Sequence, residues 1–136
     1  MGAAASAIIH GQTGEIEIIE SSALPAGAFT EVNYDEVSRQ LRDGDMIVMV
    51  SDGVIQGLEQ NEIQRRDNDP VCEDKKIILE NNENLTGSEC LKKCLESMEE
   101  DNPQGIADRV LWRARSRSAA QKDDMTVLVC GIYRNV

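Results

Sequence analysis

The chain has 136 residues, 40% of them hydrophobic, which is the size of one domain with a single apolar core and argues against a disordered chain. Its 14 Lys and Arg stand against 25 Asp and Glu, a formal charge of −11 with no basic stripe, so nucleic acid is not expected as a partner. Aromatic residues make up 3% of the chain, which leaves Ile, Val, Leu, Met and Ala to build the core and little from which to make stacking platforms for bases or sugars.

The opening MGAAAS matches the N-myristoylation pattern, yet a strand begins within it, so the segment reads as interior chain rather than a lipid-carrying terminus. Residues 5–21 then read as a β-hairpin. Ile16 and Ile18 alternate with Glu15 and Glu17, and Gly11-Gln12-Thr13-Gly14 supplies the turn. A Leu-Pro-Ala-Gly turn follows at 24–27, and a further extended segment is expected within residues 29–41, with 34–41 ambiguous. Arg42-Asp43-Gly44-Asp45 predicts a tight hairpin turn leading into Met46-Ile47-Val48-Met49-Val50. That strand is apolar at every position, as expected of a central strand covered on both faces.

It ends on Ser51-Asp52-Gly53. Asp-Gly is ordinary turn chemistry, because Asp bonds nearby backbone and Gly accepts positive φ. Residues 58–85 are charged, Asn-rich and weakly periodic, predicting a short helix and a mobile insertion. Thr86 and Glu89 form a capping-box pattern ahead of a helix whose face carries Leu91, Cys94, Leu95 and Met98. Asn102 as N-cap and Pro103 at the first helical position open another helix, expected to run to about Ser118 with Ile106, Val110, Leu111 and Ala114 inward. Arg109, Arg113, Arg115 and Arg117 weight its later turns, where positive charge complements the helix dipole. A last apolar strand is expected over residues 125–133.

Four cysteines, Cys72, Cys90, Cys94 and Cys130, lack the density of a disulfide scaffold, and no secretory signal heads the sequence; the reading is a reducing, cytoplasmic compartment. Cys90 and Cys94 lie one helical turn apart, but one His and no second Cys pair leave a tetrahedral zinc site incomplete. No run approaches the roughly 20 apolar residues of a membrane helix, so no membrane contact is expected of this chain.

The carboxylates then raise a chemical question. Asp52 follows the first apolar strand, whereas Asp123 and Asp124 precede the last. If those strands pair antiparallel, all three acids fall at one sheet rim, where like charges repel unless a cation lies between them. Lys122 is one such cation; a hard divalent ion held by carboxylate oxygens is the other solution, magnesium or manganese above all.

The pair of motifs LRDGDMIVMVSDGVIQG and NPQGIADRVLWRARSRSAAQKDDMTVLVCGIY resembles the C-terminal part of a metal-dependent PP2C-type (PPM) protein phosphatase domain. Within that superfamily the chain is most similar to the stage II sporulation protein E family, and the likeness extends to GAAASAIIHGQTGEIEIIESSALPAG. The resemblance implies an α+β fold, a PP2C-like α-β-β-α sandwich of antiparallel sheets with flanking helices. Residues 1–136 would be the C-terminal portion of one such domain. It makes Asp52 the metal-ligand aspartate of the SDG motif, with Gly53 as backbone near the metal. Asp123 becomes the first acid of the D-[DN]-M-[ST] motif, also a ligand, and Asp124 its variable neighbour.

The implied activity is hydrolysis of phosphoserine or phosphothreonine by a metal-activated water, with two Mn²⁺ or Mg²⁺ ions in a complete domain. The implied substrate is a phosphorylated anti-sigma-factor antagonist in sporulation control, and the resemblance leaves open a membrane anchor elsewhere in the parent protein. The family's remaining metal motifs, an early acidic residue and a bridging Asp-Gly, have no match in this sequence; Asp43-Gly44 belongs to the turn before the strand. One ion or none, little activity of the chain alone, and pairing of strand edges as a homodimer are therefore expected. The alternatives are a non-catalytic regulatory or interaction module on the same half-fold, and an ordinary α/β domain in which the three acids are only turn and cap residues.

Overall fold

A computed structural model describes residues 5–20, 27–31, 33, 36–67, 85–99, 101–115 and 123–135. The first two strands are β1 (Ser6–Ile9), apolar after its first residue, and β2 (Ile16–Ile19), where Glu17 stands between Ile16 and Ile18; they pair antiparallel with Ser6 opposite Ile19 and Ile9 opposite Ile16. The turn between them closes where His10 donates its N–H to Glu15 at 2.9 Å and Gly14 donates to His10 at 2.8 Å. The apolar run forms β3 (Met46–Val50), and the last strand is β4 (Val127–Gly131). The four make one antiparallel sheet in the order β2-β1-β3-β4.

Among the described residues three helices cover one face of this sheet: α1 (Asp52–Asp67), α2 (Gly87–Glu96) and α3 (Pro103–Arg115). The predicted capping box is present in α2, with the Thr86 N–H donating to the Glu89 carboxylate at 2.8 Å and the Glu89 N–H to Thr86 Oγ1 at 3.5 Å. Asn102 caps α3 by accepting the Gly105 N–H at 2.7 Å. The core lies between the layers. Ala7, Met46, Val48 and Val50 from the sheet meet Val54 and Leu58 of α1, Leu91 and Leu95 of α2, and Ile106, Val110 and Ala114 of α3. Leu91, Ile106, Val48, Val54 and Val110 are the largest fully buried side chains, each worth about 1.5–3 kcal/mol of transfer free energy. Cys90 and Cys94 are packed into this core and form no disulfide.

The structure corrects several expectations. β3 is central, but only one of its faces is covered: Met46, Val48 and Val50 are buried, while Met49 is 48% exposed. On the same outer face Ile8 is buried, whereas Leu128 is 53% exposed and Cys130 is exposed. The 42–45 segment is a tight turn, closed by the Asp45 N–H to Arg42 at 3.1 Å with Gly44 at φ 88°, but it does not join two paired strands. β3 pairs with β1 and β4 instead. The described residues between 27 and 41 form no strand, and Phe29 and Val37 there are exposed. A helix occupies the first part of the expected insertion and begins at Asp52, while residues 68–84, Cys72 among them, lie outside the described residues. So do Arg117, Lys122 and the expected last turn of α3.

Candidate functional site

The antiparallel pairing of β3 with β4 sets Val50 opposite Val127 and Met46 opposite Gly131. The chain leaving β3 and the chain entering β4 therefore share one end of the sheet. Ser51 fastens them together. Its N–H donates to the Thr126 carbonyl at 3.0 Å, and its Oγ accepts the Thr126 N–H at 2.9 Å while lying 3.2 Å from the Asp124 carbonyl, to which it donates. Asp52 opens α1 immediately after this clamp, with the Val54 and Ile55 N–H groups already donating to the Ser51 carbonyl. An acid in a first helical turn also complements the helix dipole.

Gly53 completes the junction. A Cβ at this position would collide with the Asp124 carbonyl oxygen and come within 3.4 Å of the Asp123 carbonyl carbon, so the 123–124 backbone rests directly on the first turn of α1. On the other strand Asp123 accepts the Asp124 N–H on Oδ1 at 2.9 Å, a local bond that orients its carboxylate. Asp123 and Asp124 are exposed and Asp52 is half-buried. The site thus lies at an accessible rim. α3 approaches from behind, where Asn61 of α1 donates through Nδ2 to the carbonyls of Arg113 and Ala114 and holds the last described turn of the helix.

All four predicted site positions, Asp52, Gly53, Asp123 and Asp124, are thus brought to one sheet end. Hard carboxylate oxygens at a solvent-accessible rim suit Mg²⁺ or Mn²⁺ in kind. Their number is small: among the described residues no group of three or more His, Cys, Asp or Glu side chains is placed to hold a metal ion.

Sequence reasoning passed over a second carboxylate, at the opposite sheet end. Asp45 is 2% exposed and was legible only as a turn residue. Its two oxygens accept the N–H groups of Arg42 at 2.8 Å and Gly11 at 3.0 Å, and these bonds, Arg42's first, hold its carboxyl below the usual range. Next to it His10 lies 3.8 Å from Asp45 and 3.3 Å from Glu17, and Glu17 in turn pairs with Arg39. These contacts tie the end of β1 and strand β2 to the turn before β3.

A family model for Stage II sporulation protein E (SpoIIE) matches residues 1–133. The chain belongs to that family. It is 30% identical over 118 residues to Stage II sporulation protein E of Bacillus subtilis (strain 168), a match covering 86% of this chain and 12% of that protein. Its counterpart from Priestia megaterium is 28% identical over 118 residues, covering 86% and 16%. The fold is similar to the phosphatase domain of the cell fate determinant SpoIIE from B. subtilis presoaked with manganese, with a TM-score of 0.61, 28% identity, and coverage of 99% of this chain and 49% of that one. A structure of the B. subtilis SpoIIE PP2C phosphatase domain with a fragment of its regulatory domain gives a TM-score of 0.69 at 27% identity, covering 99% and 33%. The chain therefore spans under a fifth of the curated relatives and at most half of these solved chains. One four-stranded sheet with one helical layer is part of a PP2C-type SpoIIE phosphatase domain.

Proposed function

We propose that this chain contributes to a metal-dependent protein serine/threonine phosphatase that dephosphorylates an anti-sigma-factor antagonist in the cytoplasm and so controls sporulation genes. The observation that carries this reading is the Ser51 clamp, which draws Asp52 and the Asp123–Asp124 segment to one rim of the sheet. Membership of the SpoIIE family supports it. Asp52 and Asp123, with Asp124 beside them, would hold Mn²⁺ or Mg²⁺. Such an ion supplies a coordinated water of lowered pKa and neutralises charge on phosphoryl oxygens. The chain's own part is positional: Ser51 sets the spacing of the two strand ends, and Gly53 lets the 123–124 backbone settle against α1.

A divalent ion of this kind takes about six oxygen donors, and two carboxylates with a neighbour are too few for a paired-ion centre. The chain by itself is accordingly inactive, and catalysis requires further ligands. The shortage of ligands among the described residues favours one other reading, a regulatory or interaction module with the same half-fold. Reconstitution separates the two. Residues 1–136 alone should leave an aryl phosphate untouched in manganese. Fused to the segment that supplies the other half of the phosphatase domain in the B. subtilis relative, they should hydrolyse it in a manganese-dependent manner. A folded fusion without turnover favours the non-catalytic module.

A further inference from the structure

We infer, on the metal-dependent reading proposed above, that Gly57 and Asn61 are positioning residues for the candidate site: they seat the end of α3 and the approach to β4 on the helix that carries Asp52. Gly53, Gly57 and Asn61 are spaced four residues apart, so they fall in one row along α1. Each position in the row meets the C-terminal part of the chain. Gly53 lies against the Asp124 carbonyl. A Cβ at Gly57 would stand 2.5 Å from the Ala114 carbonyl oxygen of α3 and 3.0 Å from Cε of Met125, the residue next after Asp124. Asn61 donates through Nδ2 to the carbonyls of Arg113 and Ala114.

Both residues are poor choices for α1 taken alone. Glycine weakens a helix relative to alanine, yet only glycine lets the α3 carbonyl settle at position 57. The two carbonyl acceptors turn the Asn61 amide nitrogen toward α3, which leaves its Oδ1 buried with no hydrogen-bond partner among the described residues. An apolar side chain would fill the space without that unpaired acceptor, so what the amide contributes is its bond to α3. The geometric consequence reaches the rim. Ala114 and Met125 share the seat at Gly57, so a displacement of α3 there passes to Met125 and on to Asp124 and Asp123, while Asp52 stays with α1. The spacing of Asp52 and Asp123 is thereby tied to α3.

The test compares Gly57→Ala and Asn61→Leu, which keeps the volume and loses the donor, with Leu91→Ala, a core truncation on α2 outside this row. In the full chain, hydrogen exchange at the Ser51 and Thr126 amides, which pair the two strand ends, should quicken about fivefold or more relative to β1 in the first two variants and not in the third. In a complete phosphatase domain containing these residues, the same two should raise the manganese concentration for half-maximal turnover about tenfold or more, with a smaller change in saturated turnover. Leu91→Ala should leave that concentration unchanged. If Gly57→Ala does not fold, Asn61→Leu decides alone. Unchanged exchange at Ser51 and Thr126, an equal rise in Leu91→Ala, or quickened exchange with an unchanged manganese requirement overturns the inference. A parent domain without manganese dependence overturns the metal-dependent reading and the role of the row with it, a result seen in the parent and so distinct from failure of the variants.

Discussion

Gly53 lies directly beneath the carbonyl oxygen of Asp124, in a space that a Cβ could not share. Two motifs more than seventy residues apart meet backbone to backbone at this point, and the spacing of their carboxylates depends on it. Gly53→Ala should push the 123–124 segment off α1, with a stability loss of about 1–3 kcal/mol, as for other overpacked contacts. Urea unfolding of the isolated chain measures this. A variant as stable as the parent would show that the contact yields without strain.

The Ser51 hydroxyl bridges the same two segments through Asp124 and Thr126. Ser51→Ala removes both bonds and keeps the backbone pairing of residue 51 with Thr126, so the expected cost is about 0.5–1.5 kcal/mol for each bond lost. Hydrogen exchange should locate the damage: the Thr126 amide loses protection, while amides in the middle of β3 and β4 keep theirs.

Much of this arrangement was legible in the sequence, for physical reasons that differ by element. Alternating Ile and Glu and a Gly-bounded turn gave the first hairpin its period, and Thr86 with Glu89 and Asn102 with Pro103 announced two helix starts through capping chemistry. The start of α1 was hidden. Val54 and Leu58 are one helical turn apart and buried, but Gly53 and Gly57 are poor helix formers that obscure the pattern. Gly53 is there for contact with Asp124, a long-range requirement that no local rule expresses. β3 misled in another way, because a run apolar at every position reads as covered on both faces whether or not a second layer is present. The meeting of the Asp52 and Asp123–Asp124 segments at one rim was legible from the two motifs, whereas Asp45 resembled any turn acid until its bonds to Gly11 and Arg42 were seen.

The outer sheet face should make the isolated chain self-associate. Met49 and Leu128 are opposite one another across β3 and β4 and both are about half exposed. Leu128→Lys should leave secondary structure intact and shift the chain toward monomer in light scattering. Unchanged self-association would place the contact elsewhere.

Acid should loosen the opposite end of the sheet. Backbone N–H donors, Arg42's before Gly11's, hold the folded Asp45 carboxyl below its ordinary value, and the side-chain bond from Arg39 does the same for Glu17. Groups depressed on folding contribute stability that is complete above the ordinary carboxylate range, about pH 4, and lost as the pH falls through their folded values. Urea midpoints should therefore drop below about pH 4, and Asp45→Asn should lower the neutral-pH midpoint while flattening that acid dependence. A parallel displacement at every pH would remove Asp45 from the account.

The proposed joint action of Asp52 and Asp123 at one metal-dependent site is measured most directly by manganese-dependent turnover of a phosphoserine peptide by a complete phosphatase domain containing these residues. Asp52→Asn and Asp123→Asn should each reduce turnover by about a hundredfold or more while thermal unfolding stays within a few degrees of the parent, because both residues lie at the rim rather than in the core. The double variant should be little worse than either single one, as for groups that act as a unit. Near-normal turnover in either single variant would contradict the claim and leave the two aspartates as a helix-start acid and a turn residue.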